Sequence, residues 1–271
     1  MAASVKQVIC INWGTKYGPD YVNRLYGMVA RNITPPFTFT CFTDSEEGIR
    51  DEVDCQPLPE IAVEIPKTRR GIWPKARLWG EKLGTLEGNV LFLDLDLVVT
   101  GSLDRFFTYG GPDKVIMARN PVRPLERLGQ TSVYRFPVGK MKPMQDMFCA
   151  NPTEIAEKYV WEQRFVTRNA PGGVEFFPSS YVRHFRHHCA PPFPINFLVA
   201  PRLPRDTSVV IFPGALNPPV AITGGWNDRP GMPLAEHFRT AFSRWRKPRA
   251  AFRHLKHYLK PAPWVADYWT E

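Results

Sequence analysis

The chain has 271 residues, 44% hydrophobic and 23% charged, an ordinary globular balance for one large domain or a domain with an appendage. No apolar run approaches the ~18–20 residues that a membrane-spanning helix needs, and the apolar run at residues 8–11 is too short for the core of a secretory leader. Much of the formal charge of +9 lies in the tail, where eight Lys/Arg from Arg239 onward face only Asp267 and Glu271; no nucleic-acid motif accompanies them, so no nucleic-acid partner is expected.

Residues 5–11 read as a first strand, running into the loop Asn12-Trp13-Gly14-Thr15-Lys16-Tyr17-Gly18. Pro19-Asp20 opens a helix, Pro being tolerated in a first turn, with Tyr21, Val22, Leu25, Tyr26, Met28 and Val29 as its apolar stripe. Residues 37–42 form a second strand closed by Thr43-Asp44, which makes a β-α-β unit with parallel strands and a right-handed crossover. Asp44 is either a cap or turn residue or, in a nucleotide-binding sheet, an acceptor for ribose or base. Residues 45–72 read as a solvated connection and 74–84 as a short helix carrying Lys75 and Arg77. A turn into a short helix follows at 101–106, then strands at 115–118 and 132–136 inside an otherwise irregular stretch at 119–150. Residues 153–165 read as one helix containing Glu162-Gln163, and 209–212 as the one clear strand in the Pro-rich stretch 171–219. Cysteines at 10, 41, 55, 149 and 189, odd in number and without a Cys-x-x-Cys, read as free thiols in a reducing cytoplasm.

The most informative run is Val90-Leu91-Phe92-Leu93-Asp94-Leu95-Asp96-Leu97-Val98-Val99, which reads as a strand buried on both faces. Alternation would put Asp94 and Asp96 on one side of an extended chain, and buried like charges need water, a cation or a metal. The end of such a strand is where α/β sheets bind ligands. The bland alternative is a strand that ends early, with both Asp in a solvated turn. The run also fits the Asp-x-Asp motif of haloacid-dehalogenase-like phosphohydrolases, whose first Asp is a nucleophile and second a general acid. That motif opens its domain, whereas here two crossovers precede it, and no Asp-Asp or Asp-x-x-x-Asp follows Asp113.

Up to about residue 222 the chain resembles the GT-A-fold glycosyltransferases, in particular family 8-like bacterial enzymes. The resemblance rests on Ala76-Arg77-Leu78 before the Asp94-Leu95-Asp96 strand, on Gly101-Ser102-Leu103, and on Trp13-Gly14-Thr15-Lys16-Tyr17 with Phe42-Thr43-Asp44. It continues through residues 131–136, Glu162-Gln163, and Phe212-Pro213-Gly214 with Asn217-Pro218. It implies a mixed, mainly parallel Rossmann-like sheet flanked by helices over residues 1–233, with a basic amphipathic extension at 234–271. It implies transfer of a sugar from a nucleotide-diphosphate sugar, in the first place a UDP-sugar, to a glycan or lipid-linked acceptor in bacterial surface polysaccharide synthesis, with retention of configuration. Asp94 and Asp96 would hold Mn²⁺ or Mg²⁺; Trp13 or Tyr17 would stack on the base; Asp44 would accept from base or ribose; Lys75, Arg77 or Arg186 would meet the phosphates. Asn12, Gly14, Thr15, Leu95, Ser132 and Gly214 complete the implied donor site, and Gln163, with Glu162, lies nearest the anomeric centre. Three positions depart from the pattern: Pro213 replaces a metal-binding His, Glu162 an Asp, and Gln130 or Thr131 an Asn. His187 or His188 is a candidate substitute ligand. A member that binds nucleotide sugar with little turnover is the alternative.

In the tail, Phe238, Phe242, Trp245, Phe252, Leu255 and Leu259 recur at spacings of mostly three and four opposite Arg, Lys and His, with Pro248 splitting two helices. Residues 239–260 therefore suit an anionic membrane surface, peripheral on its cytoplasmic face, or a terminal helix packed on the body with a solvated basic side.

Overall fold

The computed structural model describes residues 5–67, 71–226, 229–244 and 246–271, so Trp245 lies outside the described residues. In chain order its elements are β1 (Lys6–Asn12), α1 (Pro19–Asn32), β2 (Phe37–Thr43), β3 (Asp54–Pro57), β4 (Asn89–Leu93), β5 (Val98–Val99), α2 (Asp104–Thr108), β6 (Val115–Arg119) and β7 (Gly129–Pro137). There follow α3 (Lys142–Ala150), α4 (Pro152–Tyr159), α5 (Glu162–Asn169), β8 (Val174–Phe176), β9 (Val182–His184), β10 (Val209–Ile211) and α6 (Pro218–Thr223). The chain ends with β11 (Gly225–Trp226), β12 (Arg229–Pro230), α7 (Leu234–Phe242), α8 (Pro248–Lys256) and α9 (Trp264–Tyr268). The chain divides into two compact units.

The first unit holds the residues up to Leu95 and Ser102–Ser179. Its sheet runs β3-β2-β1-β4-β7-β6-β8. Parallel pairing joins β3, β2, β1 and β4, as the β-α-β reading requires, and β6 with β8; β7 is antiparallel to both β4 and β6. This is the mixed, mostly parallel sheet flanked by helices that the sequence implied. β1, β2 and β4 are buried almost throughout, as central strands covered on both faces must be. Pro19 stands in the first turn of α1, and Val22, Leu25, Met28 and Val29 bury one stripe of that helix.

Several expectations need correction. The Asp-rich run is not one strand: β4 stops at Leu93, Asp94-Leu95-Asp96 turn, and Val98–Val99 join another sheet. The connection at 45–72 contains β3, which pairs in parallel with β2. The helix expected at 74–84 is a 3₁₀ segment, Trp73–Trp79. Its residues eclipse every three positions, and Trp73, Ala76 and Trp79 are all buried on that repeat. Trp73 stacks on Phe148 at 5.2 Å, and Trp79 lies 5.7 Å from Phe165. The stretch 119–150 ends in α3, and the helix expected at 153–165 is two helices, α4 and α5. They part at Val160, whose φ of +62° is rare for a β-branched residue.

The second unit holds Asp96–Gly101 and Ser180–Glu271. Its three-stranded sheet runs β5-β10-β9. Phe185 stacks on Phe212 and Trp264 at 4.8 and 6.1 Å. The tail belongs to this unit: Leu259 pairs with Gly225, and the Ala262 N–H donates to the Ala221 carbonyl. Pro248 opens α8, as expected of the residue that splits the tail. α7 and α8 meet through the stacked imidazoles of His237 and His254, 4.0 Å apart and buried. Among the described residues no helix is long and apolar enough to cross a membrane.

Burial, with His254 beside it, pushes His237 down to about 4 from 6.5. Between those values the unfolded chain binds the extra proton, so stability is complete above pH 6.5 and is lost as pH falls towards 4. A loss on the order of 2–3 kcal/mol is expected from this group, read as thermal unfolding across that range. His237→Phe, which keeps the ring and removes the titration, should give a shallower slope; an unchanged slope would reject the assignment.

Candidate functional site

β2, β1 and β4 are adjacent and parallel, so their C-terminal ends lie along one edge of the sheet. That edge is the usual ligand side of an open α/β sheet. Asn12 ends β1, Trp13, Gly14, Thr15 and Tyr17 follow it, Asp44 follows β2, and Asp94 and Leu95 follow β4. The first two loops are tied together: the Gly14 N–H donates to Asp44 Oδ2 at 2.8 Å. Gly14 has φ of +64°, a conformation that side chains rarely adopt, so a glycine suits the turn that aims its N–H at Asp44. Tyr17 packs against Tyr21 at 4.7 Å, with Lys16 over its ring; Trp13 is half-buried against the core and Thr15 is exposed. A cleft of about 350 Å³ opens beside Asp44, lined by Thr43, Asp44, Ser45, Glu46, Cys55, Gln56 and Pro57. Burial pushes the Cys55 thiol up to about 11, which keeps it protonated near neutral pH.

Asp94 finds its partner inside the protein. Its Oδ1 lies 2.6 Å from Lys75 Nζ, and the side chains are 17% and 3% exposed. The 3₁₀ repeat explains the placement: with Trp73, Ala76 and Trp79 on one buried row, Lys75 and Leu78 fall on the next, also inside. Lys75 Nζ also donates to the Thr131 carbonyl at 3.2 Å and lies over the Phe92 ring. The Asp94 N–H donates to the Ser132 carbonyl, so β7 holds the turn from the other side. The Thr131 hydroxyl donates to Glu162 Oε1, and the Ile72 N–H to Glu162 Oε2 at 3.3 Å. Asp94, Lys75, Thr131, Glu162 and Ile72 therefore form one continuous polar chain under the sheet edge.

Glu162 is thus buried and faces inward at the first turn of α5, where a carboxylate is also favoured by the helix N-terminus. Gln163 follows it about 100° round the helix and is half-buried. Arg77 is turned elsewhere, donating to the Pro59 carbonyl at 2.7 Å. The Ser132 hydroxyl accepts from Gln130 Nε2 at 3.1 Å. Thr131, Ser45 and Gln56 were not among the residues expected to form the site. Thr131 lies inside the quoted motif, but nothing in its sequence shows that its carbonyl and hydroxyl face two different charged groups.

Asp96, Arg186 and Gly214 belong to the second unit. Arg186 donates to the His257 carbonyl at 3.3 Å, and burial pushes its guanidinium down to about 10. Gly214 is exposed with φ of +65°. His188 Nδ1 accepts from the His184 N–H at 2.8 Å, which leaves its Nε2 as the only nitrogen for a ligand.

Among the described residues no three His, Cys, Asp or Glu side chains stand together as a metal site. The two carboxylates of the Asp-x-Asp turn are hard oxygen ligands that suit Mg²⁺ or Mn²⁺ when a diphosphate and water supply the rest. Lys75 takes up one oxygen of Asp94. Among the described residues no third such side chain joins them, so a diphosphate and water would have to complete any cation site.

No protein-family profile matches the chain in sequence, and no curated protein does. Solved structures do. The galactosyltransferase LgtC, in complex with donor and acceptor sugar analogues, is 16% identical with a TM-score of 0.53, covering 86% of this chain and 94% of its own. An active-site Gln-to-Glu variant of LgtC gives 15% and 0.53, covering 78% of this chain and 89% of its own. The apo glycosyltransferase GlyE of Streptococcus pneumoniae TIGR4 gives 14% and 0.52, covering 79% of this chain and 56% of its own. The chain has the fold of these glycosyltransferases.

Lys75→Met should strand the Asp94 carboxylate and cost about 3–5 kcal/mol of stability, with Lys75→Met/Asp94→Asn recovering most of it. Denaturant unfolding of the two single variants and the pair checks this; additive losses would mean that the pair is not coupled.

Proposed function

We propose that the chain is a nucleotide-sugar-dependent glycosyltransferase. The observation that carries this reading is the convergence, at the C-terminal edge of three adjacent parallel strands, of the Gly14–Asp44 clasp with the Asp-x-Asp turn after β4. The shared fold supports it over a phosphohydrolase.

Each group then has a role set by its chemistry. The cleft beside Asp44 and Glu46 is rich in acceptors and suits the hydroxyl and amino groups of a nucleoside, not its phosphates. Trp13 or Tyr17 stacks on the base. Asn12, Thr15, Leu95 and Ser132 line the path of the donor, and Arg77 meets the diphosphate on rotating away from Pro59. The assignment of Arg186 and Gly214 to the phosphates rests on the sequence resemblance. Asp94 and Asp96 would hold Mn²⁺ or Mg²⁺, which supplies charge neutralisation for the leaving diphosphate. Lys75 compensates Asp94 from within the protein, so the buried charge of the turn has an internal partner.

The anomeric carbon becomes oxocarbenium-like. The Gln163 side-chain carbonyl is the group assigned to it, because an amide oxygen stabilises positive charge without being a strong nucleophile. LgtC has a glutamine in its own active site. Glu162 acts through position: bound to Thr131 and Ile72, it orients the first turn of α5 from which Gln163 projects. The reaction we infer retains configuration, uses a UDP-sugar and extends a glycan or lipid-linked acceptor in bacterial surface polysaccharide synthesis, with residues 234–271 as a basic extension resting on the cytoplasmic face of an anionic membrane. A second reading, donor binding with little turnover, is favoured by the inward-facing Glu162 and by Pro213.

A panel of nucleotide sugars with and without Mn²⁺, read by thermal shift and by release of nucleoside diphosphate, separates the two readings: binding without release supports the second. Asp96→Asn should remove most activity and keep the fold, and full turnover by that variant or in EDTA would reject the cation role. Gln163→Ala should lower kcat with little change in nucleotide affinity, as for a contact made in the transition state; weaker nucleotide binding at unchanged kcat would reverse the assignment.

A further inference from the structure

The tail is not alone on its face of the second unit. The segment before it carries a 3₁₀ turn, Ile195–Phe197, that is riveted to both tail helices. Buried Asn196 donates from Nδ2 to the carbonyls of Leu255 and Tyr258, at the C-terminal end of α8. Phe197 packs against Phe238 of α7 at 5.1 Å and Tyr258 at 5.7 Å, and Phe193 against Phe252 of α8 at 5.2 Å. Lys260 Nζ donates to the Leu198 carbonyl at 3.2 Å. With Asn196 and Phe197 turned in, their neighbours are turned out: Ile195 is 47% exposed and Leu198 79%. Phe242 and Phe252 are exposed on the helices beside them.

In the same tail Arg239, Arg244, Arg246, Lys247, Arg249, Arg253 and Lys256 are all exposed, with no acid in the sequence between Glu236 and Asp267. Large apolar groups held in water by a rigid turn mark an interaction surface. A single sign of charge from Arg239 through Lys256 matches an extended anionic plane better than a protein surface of mixed charge. A nucleic-acid backbone would match the charge but leaves Ile195 and Leu198 without a role.

We propose that the Ile195–Leu198 turn is the apolar wedge of a bilayer-binding face whose basic rim is supplied by the bases between Arg239 and Lys256. The proposal rests on the membrane reading of the tail and deepens it: bases bring the face to an anionic bilayer, and Ile195 and Leu198 enter the acyl boundary. Electrostatic attraction is screened by salt, and apolar insertion is not. Binding should therefore have a salt-sensitive part owed to the helices and a salt-resistant part owed to a turn outside them.

The test uses the full chain and phosphatidylcholine vesicles with or without phosphatidylserine, sedimented at about 0.1 M and about 1 M salt, where the Debye length falls from ~10 to ~3 Å. Wild type should bind the anionic vesicles at low salt and keep a residual fraction at high salt. Ile195→Ser/Leu198→Ser, at exposed positions and with unfolding temperature checked, should bind roughly tenfold more weakly and lose the residual fraction. Arg246→Ala/Lys247→Ala/Arg249→Ala should lose the low-salt binding. If wild type binds but the wedge variant keeps the salt-resistant fraction, or if no such fraction exists, the wedge is wrong and the membrane reading stands. If wild type ignores anionic vesicles at low salt, or is held by duplex DNA instead, the membrane reading falls and the wedge with it.

Discussion

A strand buried on both faces cannot end in an ionised carboxylate without a cation nearby, and the first unit meets that requirement with Lys75. The ion pair at 2.6 Å joins β4 to the Trp73–Trp79 segment, and the hydrogen bonds of Thr131 carry the connection on to α5. Coulomb attraction in a poorly solvated place is strong, but so is the cost of removing both charges from water. What the arrangement supplies is therefore position more than net stability. The ammonium is held by its own backbone segment, which the aromatic packing of Trp73 and Trp79 fixes in turn. The carboxylate at the sheet edge is thereby anchored by protein groups, Lys75 on one side and the Ser132 carbonyl behind its own N–H on the other.

The same chain of contacts divides the work between two neighbours on α5. Val160, in its left-handed conformation, stops α4 and lets α5 begin afresh at Glu162. Gly71 packs so close to the Val160 carbonyl that a Cβ there would lie 2.7 Å from it, which brings the 71–72 backbone within reach of the Glu162 carboxylate. A straight helix through 160–162 would not present its first-turn carboxylate to Thr131 and Ile72 in this way. Once Glu162 is fixed inward, helical geometry turns Gln163 to a different side. The acid is thus tied to Thr131 and Ile72, and the amide beside it takes no part in those contacts.

How much of this was legible in the sequence depended on which physical signal carried it. The β-α-β start was legible because strand alternation, a proline-opened helix and a second strand all agree there. The ten-residue Asp-rich run misled because Leu97, Val98 and Val99 are buried whether they continue β4 or join β10; burial alone does not encode a change of sheet. The 3₁₀ segment was read as an α-helix because a repeat of three over seven residues is too short to separate from one of 3.6. Asp44 was legible as a residue that follows a strand, whereas the Lys75–Asp94 pair and the Thr131 link are contacts between distant segments that no local pattern announces.

The tail shows the same limit in another form. Aromatics at spacings of three and four read as one apolar stripe, to be buried either in protein or in lipid. In the structure Pro248 restarts the helix, and the stripe is shared out: Phe238 packs on Phe197, while Phe242 and Phe252 remain largely exposed. The inward face is completed by His237 and His254, residues that a polarity count places outside with the bases. The burial of His237 is tolerable because a neutral imidazole, unlike an ammonium or guanidinium, can be desolvated by losing its proton. The Arg and Lys side chains of α7 and α8 are all exposed.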